Sequence, residues 1–383
     1  MKVSIVGVGQ TKFGKRQDAS SREIVFEAFQ EAIDDARISS KEIDASIICS
    51  ATHYEKQRSP AGVIAEYLGL NPQATFNLEA ICASSSVGVR VAWSMIKSGL
   101  HNVVAVVGFQ KMSELRSSEI QEVMGLSGDA MWESPFGTSM PAYYALYAKA
   151  YMERYGATEE HMAKVSVKNR HYGAKNPKAM FQKEITMQQV LDSKIVSNPL
   201  KILDCCANSD GASVLILTNE DRAKKMNDTP VWIEGLGLGS SSMSISGRQL
   251  PLTSFTCSVE ASKQAYRMAR LEPSDIDVVE LHDSFSIAEI IGYEDLGLCQ
   301  RGEGIKLIDE NQTYVGGKFA ANIDGGLISK GHPVAATGGS QLRTLVLQLR
   351  GESREAQVEN AKFALSHNVG GIGMYGAVTI LGV

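Results

Sequence analysis

One cysteine and three histidines have the residue types and settings for nucleophilic and acid–base chemistry. Cys82 lies in EAICASSS (79–86), where the approach at 72–78 runs into a helix. Beyond it, Val87, Val91 and Met95 repeat at helical spacing, with Ala92 and Ile96 on the neighbouring ridge and Gly99 as a stop. A thiol at a helix N-terminus meets unpaired N–H groups and the positive end of the dipole, which favour thiolate. The small residues Ala83, Ser84 and Ser85 are read as leaving room for a substrate close to the backbone. His282 follows a strand in ELHDSF (280–285), and His332 opens a helix in KGHPVAATG (330–338). His367 lies in LSHNVGGIG (365–373), read as a glycine-rich turn after a strand that ends at 366. Each alone is also what an inert core cysteine or a hydrogen-bonded structural histidine looks like. Their shared setting at strand ends is the informative part, because reactive groups of open α/β sheets gather at the carboxyl ends of strands.

The elements that would position them alternate between strand and helix. An apolar strand at 2–8 precedes an amphipathic helix at 21–37, whose Val25, Phe29, Ala32, Ile33 and Ala36 share a face. A strand at 45–50, a short helix at 60–68, the Cys82 helix and an apolar strand at 102–108 follow, indicating a mostly parallel sheet covered on both faces. The later half repeats this order. AIDDARISSKEID (32–44) aligns without a gap with AYRMARLEPSDID (265–277), the helix at 335–350 answers the Cys82 helix, and the strand at 362–366 answers 102–108. Between the halves, about 111–203 fits neither copy and carries Lys164, Lys168, Arg170, Lys175, Lys178 and Lys183. That segment reads either as an insertion with a solvated basic face or as a cover over the site that meets an anionic cofactor. The predicted division is 1–110 plus 204–228, an inserted 111–203, and 229–383.

The net charge of −5 argues against a nucleic-acid surface. No apolar run reaches spanning length, and MKVSIVGVGQ reads as a strand, so no membrane and a cytoplasmic setting are expected. The six cysteines show no metal-ligand or disulfide spacing, so no metal is expected, and Cys205 and Cys206 read as structural.

Taken together, these segments resemble the thiolase family over the whole chain. EAICASSS matches its nucleophile segment, Gly331-His332-Pro333 with Gly338 its GHP motif, and the C-terminal glycine turn its last motif. Biosynthetic thiolases have NEAF and CxG at the other two motifs; here HDSF (282–285) and HNVG (367–370) resemble the sterol-carrier-protein-type thiolases and archaeal acetyl-CoA acetyltransferases. The resemblance implies a duplicated, five-layered α-β-α-β-α fold with mixed, mainly parallel sheets. It implies a reversible acetyl-CoA C-acetyltransferase joining two acetyl-CoA into acetoacetyl-CoA and CoA, with the CoA thioester as substrate and no separate cofactor. It also implies a homodimer or dimer of dimers that buries a sheet edge, for which the strand at 102–108 is the candidate. For an archaeal-type enzyme, it implies supply of the mevalonate route beside hydroxymethylglutaryl-CoA synthase and a small OB-fold zinc protein. Degradative cleavage of longer 3-ketoacyl-CoA, or a scaffold role without thiolysis, remain alternatives; ketoacyl synthase and hydroxymethylglutaryl-CoA synthase chemistry are disfavoured by the GHP loop.

A thioester needs a nucleophile that is also a good leaving group, and a thiolate is both. His332 is expected to take the Cys82 proton and hold the thiolate as an ion pair. His332 and His282 are expected to donate to the enolate oxygen, and the amides of Cys82 and of the Gly370–Gly371 turn, assigned to Gly370, to the tetrahedral oxyanion. One departure matters. CxG thiolases use a second cysteine as acid/base and the sterol-carrier-protein type has one in HDCF, whereas this chain has His367 and Ser284 there. An imidazole titrates near neutrality and a serine does not, so His367 is expected to be the α-proton base, with Ser284 as the alternative.

Overall fold

A computed structural model describes residues 1–51, 57–226, 229–248 and 250–383. The strands are β1 (Val3–Gln10), β2 (Ala45–Cys49), β3 (Ala74–Leu78), β4 (Val103–Gln110), β5 (Ile195–Ser197), β6 (Leu200–Lys201), β7 (Gly211–Asn219), β8 (Val231–Ser240), β9 (Val278–Glu280), β10 (Ala320–Ala321), β11 (Phe363–Gly370) and β12 (Tyr375–Gly382). Apart from a β5–β6 hairpin they join in the order β10-β9-β11-β12-β8-β1-β7-β4-β2-β3.

That order is two copies of one five-stranded unit, back to back. In the first half β1, β7 and β4 pair antiparallel, then β4, β2 and β3 parallel. In the second, β8, β12 and β11 pair antiparallel, then β11, β9 and β10 parallel. The halves meet through the short β1–β8 ladder, Ser4 opposite Trp232 and Ile5 opposite Val231.

The aligned sequence repeat has a physical counterpart at every step. The helices Ser21–Ala36 and Thr256–Ala269 end on left-handed arginines, Arg37 (φ 55°) and Arg270 (φ 59°). Each is followed by a short 3₁₀ turn, Ser40–Glu42 or Pro273–Asp275. The closing aspartates do the same work: Asp44 accepts from the amides of Asn102 and Val103, and Asp277 from those of Lys362 and Phe363. Each thereby ties the start of its parallel strand to the strand beside it.

The helices Ser84–Lys97 and Thr337–Arg350 form the middle layer. Val89, Ala92 and Ile96 share a core with Leu342, Leu345 and Val346 and with strands of both halves. The helix Ser21–Ala36 covers the outer face of the first half and Thr256–Ala269 that of the second, giving five layers. Both outer helices lie almost on the backbone of the strand beneath: a Cβ at Gly9 would fall 2.0 Å from the Ala28 carbonyl oxygen, and one at Gly237 1.7 Å from that of Ala261. Only glycine permits that approach.

Two expectations need correction, and one helix was missed. The strand at 102–108 is not an edge, because β4 lies between β7 and β2; the edge of the first half is β3, whose Phe76 is exposed. The basic residues of 111–203 are not one solvated face. Lys168 is buried against Glu289 at 2.5 Å, Lys164 pairs with Asp309, Lys178 with Glu31, and Arg170 lies 4.0 Å over the Phe181 ring. The helical period of Glu159–Lys175 turns Lys164 and Lys168 toward the second half. The helix Ser286–Asp295 escapes sequence reading because all ten of its residues are buried, leaving no polar face to give a period. In the sheet β7 stands between β1 and β4, and 111–203 supplies none of the ten strands; the boundary at 228 lies outside the described residues.

Candidate active site

The N-terminal ends of the two middle helices lie together beside one chamber. Cys82 stands in the 3₁₀ turn Ile81–Ala83 that leads into Ser84–Lys97. Ile81 is held at φ 53°, a region a β-branched residue rarely adopts. Such an outlier persists only where the surroundings over-determine it, and here it precedes the one reactive sulfur of the turn. Ser84 braces the turn, accepting from the Ala80 amide at 2.9 Å and donating to the Ile81 carbonyl at 2.6 Å. The small residues after Cys82 serve packing rather than substrate access. Ser85 accepts from the Gly339 amide, and a Cβ at Gly338 would fall 2.0 Å from the Ser86 hydroxyl, so their size lets the two helices touch.

His332 comes from the equivalent place in the other half, before the turn Val334–Ala336 and the helix Thr337–Arg350. Its Nε2 lies 3.3 Å from Cys82 Sγ and its Nδ1 2.7 Å from Thr337 Oγ1. The Thr337 hydroxyl donates to the Pro333 carbonyl, so toward His332 it accepts. Nδ1 therefore carries the proton, and Nε2 presents its lone pair to the thiol. Sequence reading missed Thr337, although a hydroxyl residue inside GHPVAAT-G was the available signal. Thr337→Val is expected to lower kcat by roughly tenfold to a hundredfold with KM little changed, because the imidazole loses its tautomer lock. Steady-state kinetics check this, and Thr337→Ser should recover most of the loss.

His282 completes the cluster. Its ring lies 5.2 Å from that of His332 at 81°, and one ligand atom each from Cys82, His282 and His332 all lie within 4.8 Å of one another. Its neighbour Asp283 ties the two histidine loops together. The Asp283 carboxylate accepts from the amides of Leu327 (2.7 Å) and Ile328 (3.2 Å), just upstream of His332, and from Asn169 Nδ2 (2.7 Å). Asn169 also donates to Glu289, so the inserted segment is pinned to the same network. Burial, then the charge of Glu289, push Asp283 up to about 7.

Electrostatics favour neutral partners at rest. Burial raises the Cys82 thiol to about 12, although the Gly371 amide and its own amide pull it back. Burial, then the charge of Lys330, bring His332 down to about 3. His282 is held well below its ordinary value by burial, then by His332 and His367. These shifts run against the expected thiolate–imidazolium pair before substrate binds. Thiol and imidazole are hydrogen-bonded, and the proton crosses when sulfur attacks.

The other predicted residues fall as follows. β11 runs to Gly370 instead of stopping at 366, so His367 lies within the strand opposite Val378. Its Nε2 meets Ser258 Oγ at 2.8 Å on the outer helix, and it does not line the chamber. The same extension moves the turn by one residue: Gly371 (φ 64°), not Gly370, aims its amide at Cys82. Ser284 lines the chamber beside the Tyr144 phenol. Tyr144, from the inserted segment, also donates to the Gly371 carbonyl and stacks on Phe285 at 4.4 Å. The chamber holds about 190 Å³, and its wall includes Met124, Met140, Val196, Ile202, Phe285 and Val334. Cys205 and Cys206, read as structural, are in that wall as well.

Comparison with known proteins gives a consistent answer. Residues 3–221 match the family model described as thiolase, N-terminal domain, and residues 237–383 that described as thiolase C-terminal domain-like. An acetyl-CoA acetyltransferase of Methanothermobacter thermautotrophicus is 38% identical over 380 residues, 99% of this chain and 98% of the relative. Sterol carrier protein 2 of Bos taurus is 36% identical over 99% of this chain and 71% of its own length. Among solved structures, the Ltp2-ChsH2(DUF35) aldolase superposes with a TM-score of 0.87 at 27% identity, covering 100% of this chain and 98% of that one. A monomeric SCP2-thiolase like protein from Mycobacterium smegmatis shares the fold with a TM-score of 0.77 at 19% identity, over 100% of this chain and 77% of its own.

Proposed function

Because the chain belongs to the thiolase family and is an acyltransferase, we propose that it is an acetyl-CoA C-acetyltransferase, condensing two acetyl-CoA reversibly to acetoacetyl-CoA and CoA. The observation that carries this reading is the 3.3 Å contact between Cys82 Sγ and His332 Nε2, contributed by opposite halves. His332 takes the thiol proton as Cys82 attacks the first thioester, and returns it when Cys82 is released. The amides of Cys82 and Gly371 stabilise the tetrahedral oxyanion, and His282 with His332 the enolate oxygen of the second acetyl-CoA. The CoA thioester is the substrate, and the reading requires no further cofactor.

Incubation with acetyl-CoA should leave one acetyl mass increment on the peptide carrying Cys82, and the same preparation should thiolyse acetoacetyl-CoA. An unmodified Cys82 peptide would reject the reading. The apolar wall of the chamber favours a second one, cleavage of longer 3-ketoacyl-CoA. Comparing kcat/KM for acetoacetyl-CoA and for longer 3-ketoacyl-CoA separates the two.

Assembly follows from surfaces. β3 presents an unpaired edge, and Val87, Val91 and Met95 of the following helix are only half-buried, which together fit antiparallel pairing with a second copy. The likeness to an aldolase solved with a DUF35 protein supports a partner of that class. In an archaeal-type setting that partner would be the small OB-fold zinc protein linking the enzyme to hydroxymethylglutaryl-CoA synthase and the mevalonate route. Among the described residues no helix is long and apolar enough to cross a membrane.

A further inference from the structure

The chamber contains a second thiol, and the geometry points to Cys206 as the acid/base that moves the α-proton of the incoming acetyl-CoA. This rests on the acetyltransferase reading above. The segment 205–208 runs between the two histidine loops: the Cys206 amide donates to the Ser284 carbonyl at 2.9 Å, and the His332 amide donates to the Ala207 carbonyl at 3.1 Å. Cys206 is thus fixed against both loops in the wall shared by Cys82, His282 and His332. Its neighbour is spoken for differently, since Cys205 Sγ lies 3.2 Å from the Lys201 carbonyl.

The other groups of the wall are poor bases for this step. His332 already holds the Cys82 proton during acyl transfer, and His282 is committed with it to the enolate oxygen. His367 is turned to Ser258, and the Ser284 hydroxyl is far too weak an acid to supply an alkoxide. A thiol is the remaining wall group whose conjugate base is strong enough to take a carbon-bound proton.

The steps balance. Cys82 attacks the first acetyl-CoA, its proton passes to His332, and the carbon–sulfur bond to CoA breaks. The departing CoA thiolate takes the Cys206 proton and leaves as CoA thiol. The Cys206 thiolate then removes a proton from the methyl carbon of the second acetyl-CoA. That carbon bonds to the acetyl carbonyl, the bond to Cys82 breaks, and Cys82 recovers its proton from His332. Cys206 ends protonated, as it began.

The test compares wild type, Cys206→Ala and Cys206→Ser with acetyl-CoA in D2O. It follows deuterium entering the acetyl-CoA methyl group and the acetyl increment on the Cys82 peptide. A CoA thiolate can leave unaided, so the expected result is that both variants still acetylate Cys82, at a rate lowered by no more than about tenfold, which also reports that they fold, while deuterium exchange and condensation fall by about 10²–10⁴-fold. Exchange within about threefold of wild type in either variant would overturn the assignment, as would equal losses of acetylation and exchange in a near-isosteric serine variant with an unchanged melting profile. A wild-type protein that is not acetylated at Cys82 would instead reject the acetyltransferase reading itself.

Discussion

Cys82→Ser is expected to reduce acetoacetyl-CoA thiolysis by at least about 10⁴-fold while leaving the fold intact. The site is built around sulfur. The 3.3 Å separation from His332 suits a thiol hydrogen bond, and a serine hydroxyl on its shorter bond sits farther from the imidazole. The serine is also the weaker nucleophile once formed. An acyl-serine is an oxygen ester, and the enolate of the second substrate must displace an alkoxide instead of a thiolate. The change costs little in packing, since Cys82 shares its small cluster with Ala51, Met112, Ile120 and Val334 and loses no methylene. Initial rates of thiolysis, together with the acetyl increment on the peptide carrying residue 82, measure the effect. A serine variant within about tenfold of wild type would remove Cys82 from the chemistry.

What the sequence made legible was whatever leaves a periodic or repeated trace. The two copies show because helix, left-handed arginine, polar turn and aspartate-capped strand recur with the same spacing, and each position has a local backbone reason. Cys82, His282 and His332 show because each follows a strand end or opens a helix with a glycine or small-residue signature. His367 misled for a related reason. HNVGG reads as a turn, but β12 returns far enough to pair with β11 out to Gly370, and one extra turn of pleat sends the imidazole to the outer helix. Tertiary pairing decided that boundary, and no local propensity encodes it.

The residues that sequence reading passed over act through partners distant in the chain. Tyr144 matters because it reaches Gly371, and Asn169 because it joins Asp283 to Glu289. Lys168 looked like surface charge until its helix placed it on Glu289. Cys206 looked structural because it precedes an apolar strand, and that strand is indeed β7. Its place in the chamber depends on 205–208 threading between two loops from the other half, which a linear reading does not contain.

His332→Asn is the second large loss, at least about 10³-fold in the rate of Cys82 acetylation, and its pH dependence carries the mechanism. In the wild type the pair is neutral at rest: Cys82 is raised to about 12 and His332 lowered to about 3. Between those values neither group changes protonation, so kcat/KM for acetylation should be flat from about pH 6 to 9, the imidazole taking the proton within the attack itself. Without the imidazole, attack needs pre-formed thiolate. Below the thiol's raised value the thiolate fraction grows about tenfold per pH unit, so the variant's rate should climb steadily across the range where the wild type does not. Stopped-time acetylation followed by peptide mass distinguishes the two profiles. The double variant Cys82→Ser with His332→Asn should be scarcely slower than either single one, because sulfur and imidazole act as one unit. A wild-type profile that rises with a midpoint near neutrality, or losses that multiply in the double variant, would mean that Cys82 is activated by something other than the Thr337-oriented ring that stands against it.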